Sequence, residues 1–94
     1  MSAHDTDFLA SVIEELHRAR RKFPDSTHSL AALMEEVGEL SKAMLDEPLR
    51  NVRAEAVQVA VMALRVAVDG DRSLDSHRAH KGLDTFAEVA GHAV

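Results

Sequence analysis

Apolar residues recur at three- and four-residue steps through three successive stretches of the chain, separated by Pro24 and Pro48 and closed by Gly70. In the first, from about Asp5 to Lys22, Phe8, Leu9, Val12, Ile13 and Leu16 make one apolar helix face. Asp5, Thr6 and Asp7 suit its start, and Arg18, Arg20, Arg21 and Lys22 suit its end, where the helix dipole favours cations. Pro24 ends it, and the Asp25-Ser26-Thr27 run supplies capping oxygens for a second helix over about Thr27 to Asp46. At 100° per residue, Leu30, Leu33, Val37, Leu40 and Met44 share an arc of roughly 80°. Glu35, Glu39, Lys42 and Asp46 lie opposite, with Glu36 at the border of the apolar arc.

The third stretch, from about Leu49 to Asp69, is apolar nearly all round, and Pro48 suits its first turn. Beyond Ala54, its polar positions Glu55, Gln58, Arg65 and Asp69 join Met62 in one stripe roughly 80° wide. A helix with so little polar surface needs apolar neighbours on most sides. Two partner helices from one short chain do not easily surround it, which predicts a dimer pairing these helices into a four-helix bundle. Gly70 suits the helix stop. The segment after it is polar from Arg72 to His80, with a short helix predicted over Asp84 to Ala90 and a fraying tail.

Length and composition narrow this to one all-α domain over residues 1–94. The 94 residues are 46% hydrophobic but only 3% aromatic, so the core is built from Leu, Val, Met and Ala, which suits close-packed helices. A formal charge of -5 argues against a duplex-DNA binder held by phosphate contacts. The absence of cysteine excludes thiolate zinc sites and disulfides. No basic-then-apolar leader opens the chain, and Val59 to Leu64 is too short to span a bilayer, so a soluble cytoplasmic protein is expected.

The candidate chemistry lies in Leu33-Met34-Glu35-Glu36-Val37-Gly38-Glu39-Leu40 and Glu55-Ala56-Val57-Gln58. Residues three apart on a helix share a face, with Cβ atoms about 5–6 Å apart. Two such pairs on facing helices converge on one oxygen-lined point. Magnesium takes oxygen ligands, keeps several waters and binds through a few carboxylates plus substrate phosphates.

These motifs resemble the MazG-like all-α nucleoside triphosphate pyrophosphatases, whose pattern is Glu-Glu-x-x-Glu, a spacer, then Glu-x-x-Asp. Here Glu35-Glu36-x-x-Glu39 and Glu55-x-x-Gln58 flank a fifteen-residue spacer, Leu40 to Ala54. Gln58 stands where the family has Asp. An amide oxygen ligates magnesium without bringing charge, and phage-type members of the wider group are similar here, with Glu-x-Val-Gln-Val-Ala. The resemblance implies magnesium-dependent hydrolysis of a nucleoside triphosphate between its α and β phosphates, releasing monophosphate and pyrophosphate. It implies Glu36, Glu39, Glu55 and Gln58 as metal ligands, and Glu35 as the group that orients or deprotonates the attacking water. Lys22 and Phe23 take the family's place for phosphate contact and base stacking. The resemblance covers a motif-bearing core over about 22–71, leaving 72–94 peripheral, and the apolar third helix in so short a chain predicts a homodimer or homotetramer.

Blander readings stand beside these. The glutamates also suit a solvated helix face, and Glu55 with Gln58 the wet edge of a buried helix. Phe23 suits a core anchor closing the helix hairpin, and Met34, Met44 and Met62 suit core filler. His77 and His80 have zinc-compatible spacing but no third ligand nearby, which favours a solvated pair. The rival function is a nucleotide-binding or purely structural helical dimer without catalysis, for which Gln58 speaks. A phosphoribosyl-ATP pyrophosphohydrolase, whose second motif differs, ranks below both.

Overall fold

The computed structural model describes residues 1–89, and every regular element among them is helical. Helix α1 spans Ala3–Lys22, α2 Ser29–Asp46 and α3 Leu49–Val68. A single 3-10 turn, Arg72–Leu74, then leads into two short helices, α4 (Asp75–His80) and α5 (Phe86–Val89). The predicted Asp84–Ala90 helix is thus shorter at its start. Ala90 and the tail expected to fray lie outside the described residues. None of the helices is long and apolar enough to cross a membrane among the described residues.

Helix α1 begins earlier than the Asp5-Thr6-Asp7 cluster suggested. Ser2 is its N-cap, and its hydroxyl accepts from the Asp5 amide at 3.1 Å. The Ser2 amide donates back to the Asp5 carboxylate at 2.9 Å. This reciprocal box satisfies two amides that the helix itself cannot.

Helix α2 departs further from expectation. Its N-cap is His28, held at φ +62° with no capping side chain of its own. Asp25 is spent on a local turn, accepting from the Thr27 amide at 3.1 Å. The cap comes from Asp71, beyond the end of α3. Its carboxylate accepts from the His28 amide at 2.9 Å and the Leu30 amide at 2.8 Å. Asp71 also receives the Ser73 amide at 3.0 Å and is 2% exposed. Burial opposes its charge, yet the bonds from Ser73, Leu30 and His28 outweigh that and hold the carboxyl below its usual value.

Helix α3 is the central element and packs against both α1 and α2. Val12 and Leu16 of α1 meet Val57 and Val61 of α3 in the buried core, flanked by Phe8, Ala19, Ala60 and Leu64. Four buried aliphatic side chains contribute roughly 1.5–3 kcal/mol each, a thin core for this length. The expected apolar arc of α2 is split. Leu33 and Leu40 are partly covered, and Ala43 is fully buried. Leu30, Val37 and Met44 stay exposed beside Met34 and Leu45. Met34 and Met44 therefore do not fill the core, and the larger uncovered apolar face lies on α2 instead of on the middle of α3. Ser29 and Ala43 are small enough to let α2 approach α3 on that side, and Asp71 pins the helix start. The Cα radius of gyration is 15.1 Å, against about 12 Å for a compact chain of this length.

Gly70 closes α3 at φ +76°, with its amide donating to the Arg65 carbonyl at 3.0 Å. A Cβ here would sit 2.7 Å from Phe86 Cδ1, so α5 packs directly over the turn. Gly70→Ala is expected to cost about 2 kcal/mol, from the left-handed backbone and the collision together. Thermal unfolding checks this, and an unchanged midpoint would mean that Phe86 does not lie over the turn. The segment after α3 is therefore structural: it caps α2 through Asp71 and seals α3 through Phe86.

Candidate metal centre and adjoining cleft

Helices α2 and α3 are joined by only Glu47 and Pro48, so α3 runs back along α2. That reversal sets the second turn of α3 beside the middle of α2. Glu36, Glu39 and Glu55 come together there, each offering an oxygen within 4.8 Å of the others. Glu36 and Glu55 are partly covered, whereas Glu39 is exposed. Glu36 faces α3 more fully than its border position on the helix wheel suggested.

Two oxygens of this cluster, Glu36 Oε2 and Glu55 Oε2, are buried without a hydrogen-bond partner. A buried acceptor left unpaired costs about 1–3 kcal/mol, more when charged. Burial above all, then the charges of Glu39 and Glu55, push the Glu36 carboxyl up to about 7. Glu55 is raised as well, first by burial and then by Glu39. Among the described residues no cation is close enough to these carboxylates to form an ion pair. The donor set is all oxygen, which suits a hard divalent cation such as magnesium. The solvated-face reading does not account for Glu36 and Glu55.

Not every expected site residue joins the cluster. Glu35 is exposed and lies outside it. Gln58, one turn beyond Glu55, lines both the space between α1 and α3 with Glu15 and Arg18 and the cleft that Glu36 lines. The Glu15 carboxyl is held below its usual value by Arg18 first, against burial, with help from the Gln58 amide. Lys22 is exposed, with its ammonium 5.4 Å from the Phe23 ring centre. Phe23 is 58% exposed, which rules out the core-anchor reading.

A cleft of about 320 Å³ runs from Glu36 along α3 to the α1–α2 connection. Gln58, Met62 and Arg65, three members of the polar stripe on α3, line it, and Phe23 and His28 line it from the connection. Arg18 and Glu15 line it from α1. Arg65 is 5% exposed. Its Nη2 donates to the Phe23 carbonyl at 2.7 Å and its Nε to Asp69 at 3.2 Å. Asp69 in turn takes Arg20 at 2.8 Å. Burial opposes the charge on Asp69, but the two arginines outweigh it and keep the carboxyl below its usual value.

The basic end of α1 thus does more than complement the helix dipole. Arg20 ties to α3, and Arg18 pairs with Glu15, its Nε 2.9 Å from the carboxylate. Arg65 carried a sequence signal, as a cation inside an otherwise apolar helix. Arg18, Glu15 and His28 carried none that separates them from surface residues. His77 and His80 are exposed on α4 and belong to no metal cluster among the described residues. Comparisons with protein-family models, curated proteins and solved structures find no significant match to this chain.

Proposed function

We propose that this chain is a MazG-like, magnesium-dependent nucleoside triphosphate pyrophosphohydrolase. The observation that carries the reading is the pair of buried, unpartnered oxygens on Glu36 and Glu55, grouped with Glu39 within 4.8 Å. Carboxylates on two rigid helices, brought together at a net cost to the free protein, favour a bound cation over solvent. Water adds across the bond between the α and β phosphates, giving nucleoside monophosphate, pyrophosphate and a proton. Magnesium, when bound, neutralises charge developing on the phosphate oxygens.

Glu36, Glu39 and Glu55 hold that cation, and Gln58 is a weaker, uncharged ligand or a water holder. Glu35 remains the proposed group for the attacking water. Phe23, half in the cleft, offers a stacking face for a base, with Lys22 above its ring for phosphate contact. We further propose that a second copy covers the α2 face bearing Leu30, Met34, Val37, Met44 and Leu45, completing a helical bundle as a homodimer or homotetramer. The thin core and the extended radius of gyration support that completion.

The test is pyrophosphate release across a panel of nucleoside triphosphates, with and without magnesium. Magnesium-dependent release is expected for at least one base; none for any base refutes the enzymatic reading. The rival is a nucleotide-binding or structural dimer, favoured by the lining position of Gln58 beside Glu15. Gln58→Asp separates the two: a weak enzyme gains turnover several-fold, whereas a scaffold gains none.

A further inference from the structure

A groove of about 370 Å³ runs between α1 and α3, lined on α3 by Arg53, Ala54, Val57 and Gln58. It meets the cleft at Glu15, Arg18 and Gln58, which line both. The two differ in the sign of their charge. Arg18, Arg21 and Arg53 line the groove with Glu14 and Glu15, whereas Arg18 and Arg65 line the cleft with Glu15, Asp25 and Glu36. The groove is thus the cationic one of the pair, in a chain whose formal charge is -5.

Arg53 is a fixed cation in this groove. Its Nη2 reaches from α3 to α1 and donates to Ser11 Oγ at 3.2 Å, and its guanidinium lies 5.7 Å from the Phe8 ring centre. Ser11 gives its own proton to the Asp7 carbonyl at 3.1 Å, which leaves a lone pair for Arg53. Phe8 in turn packs against the core. Neither the hydroxyl nor the ring carries a formal charge, so the arginine is held without being neutralised. Arg18 differs, since its guanidinium is bonded to the Glu15 carboxylate. A planar cation ordered in advance loses less freedom when it takes a phosphate on its paired donors.

Position along α3 decides which phosphates arrive there. From Gln58 the cleft continues about 10 Å along the helix axis to Arg65, with Phe23 at that end, and the groove runs about 7.5 Å the other way to Arg53. A nucleotide with its base toward Phe23 and its α phosphate at the acidic cluster extends its β and γ phosphates into the groove. We infer that the groove between α1 and α3 is a pyrophosphate site, in which Arg53 receives the terminal phosphates and holds them as the leaving group. The inference rests on the nucleotide reading of the cleft. Cleavage between the α and β phosphates leaves its new negative charge on the departing pyrophosphate, so a cation fixed at that end favours the transition state.

The experiment titrates the full-length chain without metal, by calorimetry, with inorganic pyrophosphate and separately with sulfate. Pyrophosphate is expected to bind with a Kd of about 1 mM or below, and sulfate about tenfold more weakly or worse. Arg53→Gln should weaken pyrophosphate binding about tenfold, which is 1.4 kcal/mol. Arg50→Gln removes the same charge from an exposed position of α3 outside the groove, and should change binding by less than about twofold. With magnesium and a nucleoside triphosphate, Arg53→Gln should also lower kcat/KM about tenfold. The comparison of pyrophosphate with sulfate needs no variant, so a poorly folded Arg53→Gln protein does not leave the question open. No binding of pyrophosphate, sulfate bound as tightly, or equal losses in the two variants each overturns the assignment. Turnover undiminished in Arg53→Gln overturns it too and leaves the enzymatic reading standing. The expected binding pattern without turnover of any nucleotide refutes the enzymatic reading and leaves the groove as a pyrophosphate site.

Discussion

Glu36→Gln is expected to abolish measurable magnesium binding and, at the same time, to make the metal-free protein more stable at pH 8. Glutamine keeps the shape and one acceptor oxygen but removes the charge that burial and Glu39 disfavour. The sign follows from the raised carboxyl, about 7 against an ordinary 4.5. Between those values the folded state holds a proton that the unfolded state has released. Stability therefore falls as pH rises through that window, and the penalty is complete above about 7. For a partly covered group it amounts to about 2 kcal/mol. Wild type should accordingly unfold at a higher temperature near pH 5.5 than at pH 8, and Glu36→Gln should flatten that difference.

Magnesium binding has the opposite pH dependence. A bound cation requires the carboxylate to be charged, so apparent affinity should rise with pH up to about 7 and protons should be released on binding. Calorimetric titration in two buffers of different ionisation enthalpy reads both quantities. A Glu36→Gln protein that binds magnesium as wild type does would remove the metal centre assigned here. A gain in apo stability without loss of metal binding would separate the burial argument from the functional one.

Asp71→Ala should be the most damaging single change outside the core. It strips the caps from His28, Leu30 and Ser73 together, all from a side chain that is 2% exposed. Losing one capping side chain costs about 1 kcal/mol, and buried amides left unpaired add more, giving about 3 kcal/mol in all. In a domain of this size that lowers the melting temperature by more than 10 °C. Asp71→Asn keeps one good acceptor and should lose about half as much. The loss should also reach the cleft, because His28 and Ser29 line it at the end that Asp71 secures. Metal binding at Glu36, two turns further along α2, should survive in whatever fraction stays folded. Thermal melts of the two variants check the order, and Asp71→Asn falling as far as Asp71→Ala would show that charge matters more than the acceptor positions.

The three long helices were legible because an apolar repeat, two prolines and a glycine act locally, each through backbone geometry alone. The convergence of Glu36, Glu39 and Glu55 was also legible, since residues three apart share a helix face and a two-residue connection reverses the chain. Sequence could not place the cap of α2. Asp25, Ser26 and Thr27 stand next to that helix, yet the carboxylate that reaches its amides comes from Asp71, more than forty positions away. Nor could periodicity choose which side of the α2 apolar arc meets α3. Small residues at 29 and 43 and the distant cap decide that rotation, which leaves Leu30, Val37 and Met44 uncovered. The sequence by itself determined the elements and the acidic face of each motif, because those depend on neighbours within a turn. Tertiary structure alone decided which oxygens are buried without partners and that Arg65 is buried against Asp69 and the Phe23 carbonyl beside the cleft, because burial and pairing depend on atoms contributed by other helices.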